Sequence, residues 1–241
     1  MSSSSFVACG GLVLCAATAC GSNSAQPDAP AIADAASDAS ADALADGPVD
    51  AACERTLLVG GTDLSLQGWS VVAQGPHTLT YAATFTELVT STDAGASRGG
   101  QLLLTHTGAV AAGTPFALEI VAQVEEVDAH NQYDAAVAIL GSFTGPFGAA
   151  VEREQMLYLD SDAIGWADDS QSQAFPVTDA MFHTYVLSVD ATGVAQVTID
   201  GTVALTRSGY TTSGTIAIGD QTNEANVDAT LRLRSVRLLC P

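Results

Sequence analysis

Lysine is absent from this chain of 241 residues, whose seven basic residues are all arginine. The 27 Asp and Glu residues give a formal net charge of −20. Nucleic-acid binding through the phosphate backbone needs a basic face, which this composition excludes. The lack of lysine also excludes P-loop phosphate binding and Schiff-base chemistry. No C-x-x-C motif occurs, and no two of the four histidines have metal-ligand spacing, so the sequence predicts no zinc site.

Residues 1–19 have the features of an export signal. The run from Phe6 to Ala19 is apolar but only 14 residues long, too short for a transmembrane helix. It ends in Ala17-Thr18-Ala19, the small-residue pattern that a signal peptidase cleaves, and Cys20 follows directly. Small residues running into a cysteine resemble the lipobox of bacterial lipoproteins. The resemblance implies a lipid on Cys20 and an outer-membrane lipoprotein, and plain secretion after the same cleavage is the alternative.

Residues 20–52 differ from the rest of the chain in composition. They are rich in Ala, Asp, Ser and Pro and contain no aromatic residue, so they cannot bury enough apolar surface to fold alone. Aspartates recur at every fourth position, and on a helix such like charges would repel one another. The sequence therefore predicts a disordered, extended tether that separates a domain from a membrane. The repeated aspartates are Asp34, Asp38, Asp42, Asp46 and Asp50.

The remaining segment, 53–241, is long enough for one domain and carries 21 acidic residues and all seven arginines, a net charge of −14. Cys53 and Cys240 lie at its two ends, while Cys9 and Cys15 belong to the leader. In an oxidising compartment Cys53 and Cys240 are a natural pair, so we predict a disulfide; two buried free thiols are the alternative. A disulfide there suits a fold whose terminal strands are neighbours.

Apolar residues in the domain alternate with a period of two, which is typical of β-strands, and no segment has a convincing amphipathic helical pattern. Asp200-Gly201 is a two-residue hairpin turn of type I′ chemistry. The last strand changes phase, which predicts a β-bulge at Ser235. Many short strands predict an all-β, two-sheet antiparallel jelly-roll sandwich. The alternating segments are 116–124, 133–140, 151–159, 185–189, 195–199, 203–205, 216–218 and 231–239.

The segment Phe182 to Gly201 carries a resemblance to the concanavalin A-like lectin/glucanase superfamily, which includes laminin-G-like domains. His183-Thr184-Tyr185-Val186-Leu187 matches an H-x-Y-x-L strand, and Ile199-Asp200-Gly201 matches the hairpin that follows it. Ile218-Gly219-Asp220 and Val236-Arg237-Leu238 occupy the places of a later turn and the final strand, and Leu66 to Val71 resembles the opening strand. The resemblance implies two antiparallel sheets, one of them concave.

Glucanases of this superfamily place catalytic carboxylates on one strand as E-x-D-x-x-E, so that one attacks the sugar while another protonates the leaving oxygen. The nearest segments here begin at Glu126 and Glu152, and both lack the last carboxylate. Relatives also bind a structural calcium near the final strand, where this chain has Arg234-Ser235. Asp63, Asp220 and Asp228 remain as calcium candidates, but we predict neither a metal nor any other cofactor.

Ligand binding demands less of the sequence than catalysis does. Aromatic rings on a concave sheet can stack on sugars beside polar groups that bind hydroxyls. The alternative is that Trp166 packs under the Asp168-Asp169 loop and that the tyrosines fill the sheet. The sequence favours non-catalytic binding of a glycan or another ligand at the cell envelope. A polysaccharide hydrolase or lyase and a structural or adhesive protein that contacts another envelope protein are the alternatives. The candidate binding residues are Tyr133, Glu152, Glu154, Tyr158 and Trp166.

Overall fold

The computed structural model describes residues 53–145 and 150–241. The predicted leader 1–19, the lipidation site Cys20 and the tether 20–52 lie outside the described residues. No helix in the described part is long and apolar enough to cross a membrane. The strands are β1 (Arg55–Val59), β2 (Ser70–Gln74), β3 (His77–Tyr81), β4 (Thr86–Thr90), β5 (Gln101–His106), β6 (Phe116–Val127), β7 (Ala138–Leu140), β8 (Leu157–Leu159), β9 (Ala163–Trp166), β10 (Ser172–Ala174), β11 (His183–Val189), β12 (Ala195–Ile199), β13 (Thr202–Arg207), β14 (Ile216–Asp220) and β15 (Ala229–Leu239). Helix α1 is Ala150–Glu154, and a 3₁₀ helix spans Leu64–Gln67.

The strands form two antiparallel sheets, as the alternation predicts. Sheet A has the order β13-β12-β11-β6-β15-β4-β3, and β1 pairs with β15 beyond the end of β4. Sheet B has the order β10-β9-β8-β7-β14-β5-β2. The main core lies between the sheets, because alternate side chains of each strand point inward. On β5, for example, Leu102 and Leu104 belong to this core, whereas Leu103 belongs to a second cluster on the outer face of sheet B.

The two ends of the domain meet in sheet A. Strand β1 pairs with the last strand, and Cys53 and Cys240 form the predicted disulfide, with their Cα atoms 5.2 Å apart. The predicted bulge in β15 is also confirmed, because the pairing with β6 shifts between Leu233 and Ser235. The shift keeps Leu233 and Val236 buried on the same side, which the phase change in the sequence requires.

The hairpin that carries the family resemblance forms as predicted. Ile199 pairs with Thr202, and Asp200 and Gly201 have φ angles of 49° and 80°, so both central residues lie in the left-handed region that a type I′ turn needs. Strand β11 lies between β6 and β12 in the middle of sheet A. The resembling segment is therefore a central part of one sheet.

Three segments differ from the predicted strands. The alternation over 151–159 suggested one strand, but the chain forms helix α1 first and β8 is only three residues long. The alternation over 133–140 gives only the short strand β7, and the segment 66–71 begins as a 3₁₀ helix before β2. The helical turn of α1 is held by tertiary contacts, since the carboxylate of Glu152 accepts hydrogen bonds from the backbone and hydroxyl of Thr144, at 3.0 and 2.7 Å. Local alternation does not reveal such contacts.

Candidate ligand-binding face

The outer face of sheet B has a floor of small and apolar side chains. The pairings place one residue of each strand in a single row across the sheet. Because the middle of this row carries glycine and alanine, other parts of the chain can lie close against the sheet. The row runs Val72, Leu103, Gly219, Ala138, Tyr158, Gly165 and Ser172.

Tyr158 lies along this floor and is covered by a histidine. A Cβ atom at Gly165 would sit 2.5 Å from the Tyr158 hydroxyl oxygen, so the ring occupies the space that this glycine leaves open. The His130 ring stacks on the other side of Tyr158, with ring centroids 3.6 Å apart and an angle of 14° between the planes. Tyr158 is consequently only 3% exposed. The three residues form a stack at one side of the outer face.

His130 is held by two carboxylates. Its Nδ1 lies 2.8 Å from Asp160 Oδ2, and its Nε2 lies 2.8 Å from Asp169 Oδ1. Its backbone N–H also donates to Asp160 Oδ1, at 2.9 Å. Burial would lower the pKa of His130, but hydrogen bonds and Coulomb attraction from Asp160 and Asp169 outweigh it, and the net pKa is raised. The imidazolium therefore links three parts of the chain: the segment after β6, the end of β8 and the turn after β9.

Immediately after His130, the chain makes a tight turn that carries Tyr133. Asn131 and Asp134 exchange two backbone hydrogen bonds of 2.8 Å, and the central residues Gln132 and Tyr133 have φ angles of 23° and 75°. A bulky residue at positive φ is strained by about 1–3 kcal/mol, and such strain is often found at binding sites. The Tyr133 ring is half-buried and packs against the edge of the apolar floor.

The same turn is fixed from the other side by Arg153 and Gln221. The Tyr133 carbonyl accepts hydrogen bonds from Arg153 Nη2 and Gln221 Nε2, both at 2.9 Å. Arg153 also pairs with the Asp134 carboxylate at 2.6 Å, and its guanidinium lies 5.8 Å from the centre of the Tyr133 ring. Buried Gln101 helps to position Gln221, because the side-chain amide of Gln101 donates to the backbone carbonyl of Gln221 at 2.7 Å. The position of Tyr133 is therefore held by a network of hydrogen bonds among Arg153, Asp134, Gln221 and Gln101.

A groove of about 380 Å³ opens on the outer face beside Phe143. Helix α1 connects it to the turn, because Arg153 contacts Tyr133 while the neighbouring Glu152 holds Thr144 at the groove wall. The structure gives the hydroxyls of Thr107 and Thr215 no partner within the described part of the chain. The groove thus combines apolar contacts with hydroxyl groups. Its lining residues are Val72, Thr105, Thr107, Phe143, Thr144, Gly145, Ser213 and Thr215.

The five candidate binding residues do not form one surface. Trp166 has no exposed surface and belongs to the core between the sheets, with Arg207 stacked 5.7 Å from its ring centre and bonded to Asp168 at 2.7 Å. This arrangement matches the alternative, in which Trp166 packs beneath the Asp168-Asp169 loop. A buried ring offers no face to a sugar, and the same holds for Tyr158. Glu152 is buried at the groove wall, and Glu154 is half-buried on the same helix. Tyr133 is partly exposed and packs against the outer-face cluster.

Several residues that shape this face are not evident from the sequence. Nothing local distinguishes Arg153 and Gln221 from other polar residues. His130 has no metal-ligand spacing to another histidine and no other motif that marks it. The signal that was available is the scarcity of cations, since each of seven arginines in so acidic a chain is expected to have a defined carboxylate partner.

The remaining polar clusters do not form a catalytic pair in the described residues. His183, on sheet A, is bonded at Nδ1 to Asp200 and at Nε2 to Asp179, at 2.7 and 3.0 Å. The segment Gly95-Ala96-Ser97-Arg98-Gly99 has the G-x-S-x-G pattern of a nucleophile elbow. Ser97 lies on an exposed loop between β4 and β5 rather than at a strand-to-helix turn. No serine hydroxyl in the described residues is bonded to a histidine ring.

The calcium candidates are scattered. Asp63 caps the 3₁₀ helix, and the pKa of its carboxyl is lowered by hydrogen bonds from Ser65. Asp220 lies inside the sandwich, only 3% exposed, where burial raises its pKa to about 8 with smaller effects from Asp228 and Asp134. Asp228 has a buried oxygen with no partner in the described residues. Within residues 53–145 and 150–241, no group of three His, Cys, Asp or Glu could hold a metal ion.

Comparisons with known proteins identify the fold. No protein-family model matches the chain, and no curated protein matches it. The carbohydrate esterase vb_24B_21 from the Shiga toxin-encoding bacteriophage phi24B is similar in structure, with a TM-score of 0.51 and 16% identity over 77% of this chain and 98% of that one. The metal-free carbohydrate recognition domain of Emp46p also has a TM-score of 0.51, with 12% identity over 76% of this chain and 94% of that one. At such identities the likeness shows the fold alone. The domain is a lectin-like jelly-roll sandwich, as the sequence predicts.

Proposed function

We propose that the domain belongs to the concanavalin A-like superfamily and binds a carbohydrate, without catalysis, on the outer face of sheet B. The observation that carries the proposal is the groove beside Phe143, together with the Tyr133 turn on the same face of the sheet. Its volume of about 380 Å³ lies within the range of ligand pockets, roughly 300–1,000 Å³. Its threonine hydroxyls can exchange hydrogen bonds with sugar hydroxyls, and the half-buried side chain of Val72 can contact the apolar face of a sugar ring.

The Tyr133 turn, which lies near Gln221 on the same face as the groove, would add a ring and a charged pair. Arg153 and Asp134 hold planar donor and acceptor groups side by side, an arrangement that suits a pair of neighbouring hydroxyls. Because the polar network already fixes Tyr133, little conformational entropy would be lost when a ligand contacts it. The two similar structures give support of the same kind, since one is called a carbohydrate esterase and the other a carbohydrate recognition domain.

The catalytic alternative has less support from the described residues. Both ring nitrogens of His130 and of His183 are bonded to carboxylates, so neither ring has a free nitrogen with which to activate a nucleophile. The acid with the strongly raised pKa, Asp220, is buried inside the sandwich and does not reach the groove. Cleavage of a bound sugar therefore serves as a test outcome that would favour a hydrolase or lyase.

The cellular setting is proposed from the sequence. An exported chain lipidated at Cys20, with residues 20–52 as a spacer, would present the groove away from an outer membrane. Replacing Cys20 by Ser in the full-length chain, expressed in a bacterial host, tests the anchor. We expect the protein to move from the membrane fraction to the soluble fraction and to lose the mass of the acyl groups. An unchanged mass and an unchanged membrane association would refute lipidation.

The binding proposal is tested by applying the full-length chain to a panel of immobilised oligosaccharides and checking the bound sugars for cleavage. Tyr133→Asn removes the ring but suits the positive φ, because asparagine tolerates the left-handed region. Thr107→Val and Thr215→Val each remove one hydroxyl. We expect each variant to weaken binding by at least about fivefold, corresponding to roughly 1 kcal/mol.

Tyr81→Ala is the matched control, because Tyr81 is an exposed tyrosine on β3 of the other sheet. Binding that is lost in the groove variants and retained in the control supports the proposal. Binding that survives in all three groove variants would place the site elsewhere. If no oligosaccharide binds, the carbohydrate proposal is refuted and a structural or adhesive role with a protein partner is favoured.

A further inference from the structure

We propose that His130 is a positioning residue whose imidazolium fixes the Tyr133 turn over the outer face of sheet B, so that binding at this face weakens when the imidazolium loses its proton. This inference rests on the proposed binding function. It names the residue that makes the site sensitive to pH. It arises from the arrangement of His130 between two carboxylates and the ring of Tyr158.

The protonation state of His130 follows from its contacts. A neutral imidazole has one N–H donor and one acceptor nitrogen, whereas both nitrogens of His130 face a carboxylate oxygen at 2.8 Å. Both contacts are hydrogen bonds only when the ring carries two protons. The face of the Tyr158 ring, stacked at 3.6 Å, also favours the cation. Three interactions therefore depend on a single proton.

The groups around His130 are acidic or neutral. Asp160 follows β8, Tyr158 lies on β8, Asp169 lies in the turn after β9, and Asp162 acts on Tyr158 from the turn after β8. Two arginines that contact neighbouring segments are themselves paired with carboxylates: Arg207 of β13 with Asp168 at 2.7 Å, and Arg153 of α1 with Asp134 at 2.6 Å. Among the described groups packed against it, His130 thus meets carboxylates and a phenol, all of which are compatible with a positive charge.

Loss of the proton would act first on Asp169. One ring nitrogen would then present a lone pair to a carboxylate at 2.8 Å, which is repulsive. The Asp160 side chain is 12% exposed and also receives the backbone N–H of His130, whereas the Asp169 side chain is 66% exposed and can turn into water. We therefore expect the link between the His130 segment and the turn after β9 to break.

The sign of the pH dependence follows from the raised pKa of His130. Its stabilising contribution is complete below the ordinary value of about 6.5 and is lost as pH rises through the higher value in the folded protein. The turn next to His130 then keeps its contacts with Arg153 and Gln221 and the backbone hydrogen bond from His130 to Asp160, but it loses the link to Asp169. Tyr133 should be well ordered below about pH 6.5 and more mobile at pH values above the raised pKa of His130.

His183 provides an internal control. It has the same arrangement between Asp200 and Asp179 and a raised pKa, yet it lies on β11 of sheet A. Asp169→Asn and Asp179→Asn are thus matched variants, since each removes the carboxylate at Nε2 of one histidine. Both aspartates are exposed residues in turns or loops, so the fold should tolerate either substitution.

The experiment follows the histidine ring signals of the full-length chain by NMR from pH 5 to 10, together with amide exchange at Gln132 and Tyr133. We expect Asp169→Asn to lower the pKa of His130 by about one unit. Exchange at Tyr133, corrected for the intrinsic pH effect, should rise several-fold as His130 loses its proton, and the rise should begin at lower pH in Asp169→Asn. Asp179→Asn should shift His183 and leave both readouts at His130 and Tyr133 unchanged.

The proposal would be overturned if His130 titrated at or below its ordinary value, or if exchange at Tyr133 did not follow His130 in Asp169→Asn. These measurements need no carbohydrate. If they agree with expectation while no oligosaccharide binds, the binding function fails and the positioning role of His130 stands. If the tightest-binding oligosaccharide of the panel binds equally well across the titration of His130, the proposal fails and the binding function stands.

Discussion

Asp220 is a carboxyl group enclosed between the two sheets, and replacing it by asparagine should stabilise the protein at neutral and alkaline pH. Its side chain points inward from β14, where one oxygen accepts from the backbone of Thr222 at 3.0 Å. The other oxygen has no partner within the described residues. Burial raises the pKa to about 8, so the native state holds a proton that the unfolded chain releases near pH 4.

The magnitude follows from proton linkage. Between pH 4 and pH 8 the native state binds about one proton more than the unfolded state, so stability falls as pH rises. Each unit is worth about 1.4 kcal/mol, and four units give roughly 5–6 kcal/mol. Asp220→Asn removes this dependence because an amide does not titrate. Its NH₂ group would lack a partner at a cost of about 1–3 kcal/mol. The net gain should be about 1–3 kcal/mol at pH 7 and should vanish between about pH 4.5 and pH 6, depending on the cost of the amide.

Urea unfolding of the wild type and Asp220→Asn at pH 4.5, 6, 7 and 8 tests this prediction. The titration of His130 and His183 affects both proteins equally, so the difference between their unfolding free energies isolates Asp220. The difference should favour the variant increasingly as pH rises. Two stability curves that run parallel from pH 4.5 to 8 would refute the conclusion that Asp220 is protonated in the native state.

Three further changes test the packing and the covalent link. Replacing Cys53 and Cys240 together by serine should lower the unfolding free energy by about 2–5 kcal/mol, because the unfolded chain gains entropy; an unchanged urea midpoint would contradict this. Trp166→Ala should destabilise the domain by about 3–5 kcal/mol while binding far below the melting temperature is retained, and weaker binding without lost stability would contradict its burial. Gly165→Ala should displace the Tyr158 ring and cost about 1–3 kcal/mol, measured by urea unfolding, and a neutral effect would show that the ring does not need this space.

Features of the fold that depend only on residues adjacent in the sequence could be predicted. The type I′ turn at Asp200-Gly201 depends on two residues that tolerate positive φ, and the bulge near Ser235 follows from a change of phase within one strand. Helix α1 could not be predicted, because one helical turn shows too little periodicity and its stability comes from Thr144, which binds Glu152 from another segment.

The candidate site was less accessible to sequence reasoning. Trp166 shares a side of β9 with Ile164, and this alternation was enough to indicate a core position. Tyr158 alternates with the core residues Leu157 and Leu159 and does lie on the outer face, but it is covered by His130 from a segment 28 positions earlier in the chain. Such cover depends on tertiary contacts between turns, which no local pattern specifies.

The absence of lysine explains why histidine has so large a structural role here. Of the seven arginines, Arg153, Arg207, Arg232 and Arg237 form ion pairs with carboxylates in the described part of the chain, and several serve two elements at once. Residues 53–241 contain 21 acidic residues, so further ion pairs that link one acidic turn to another need a different cation. His130 and His183 take this role, since each lies between two carboxylates. Unlike arginine, histidine loses its charge near neutral pH once its carboxylate partners are removed. Because these ion pairs use histidine rather than lysine, the links that they make between turns depend on pH. The ion pairs of His130 hold the turn that carries Tyr133.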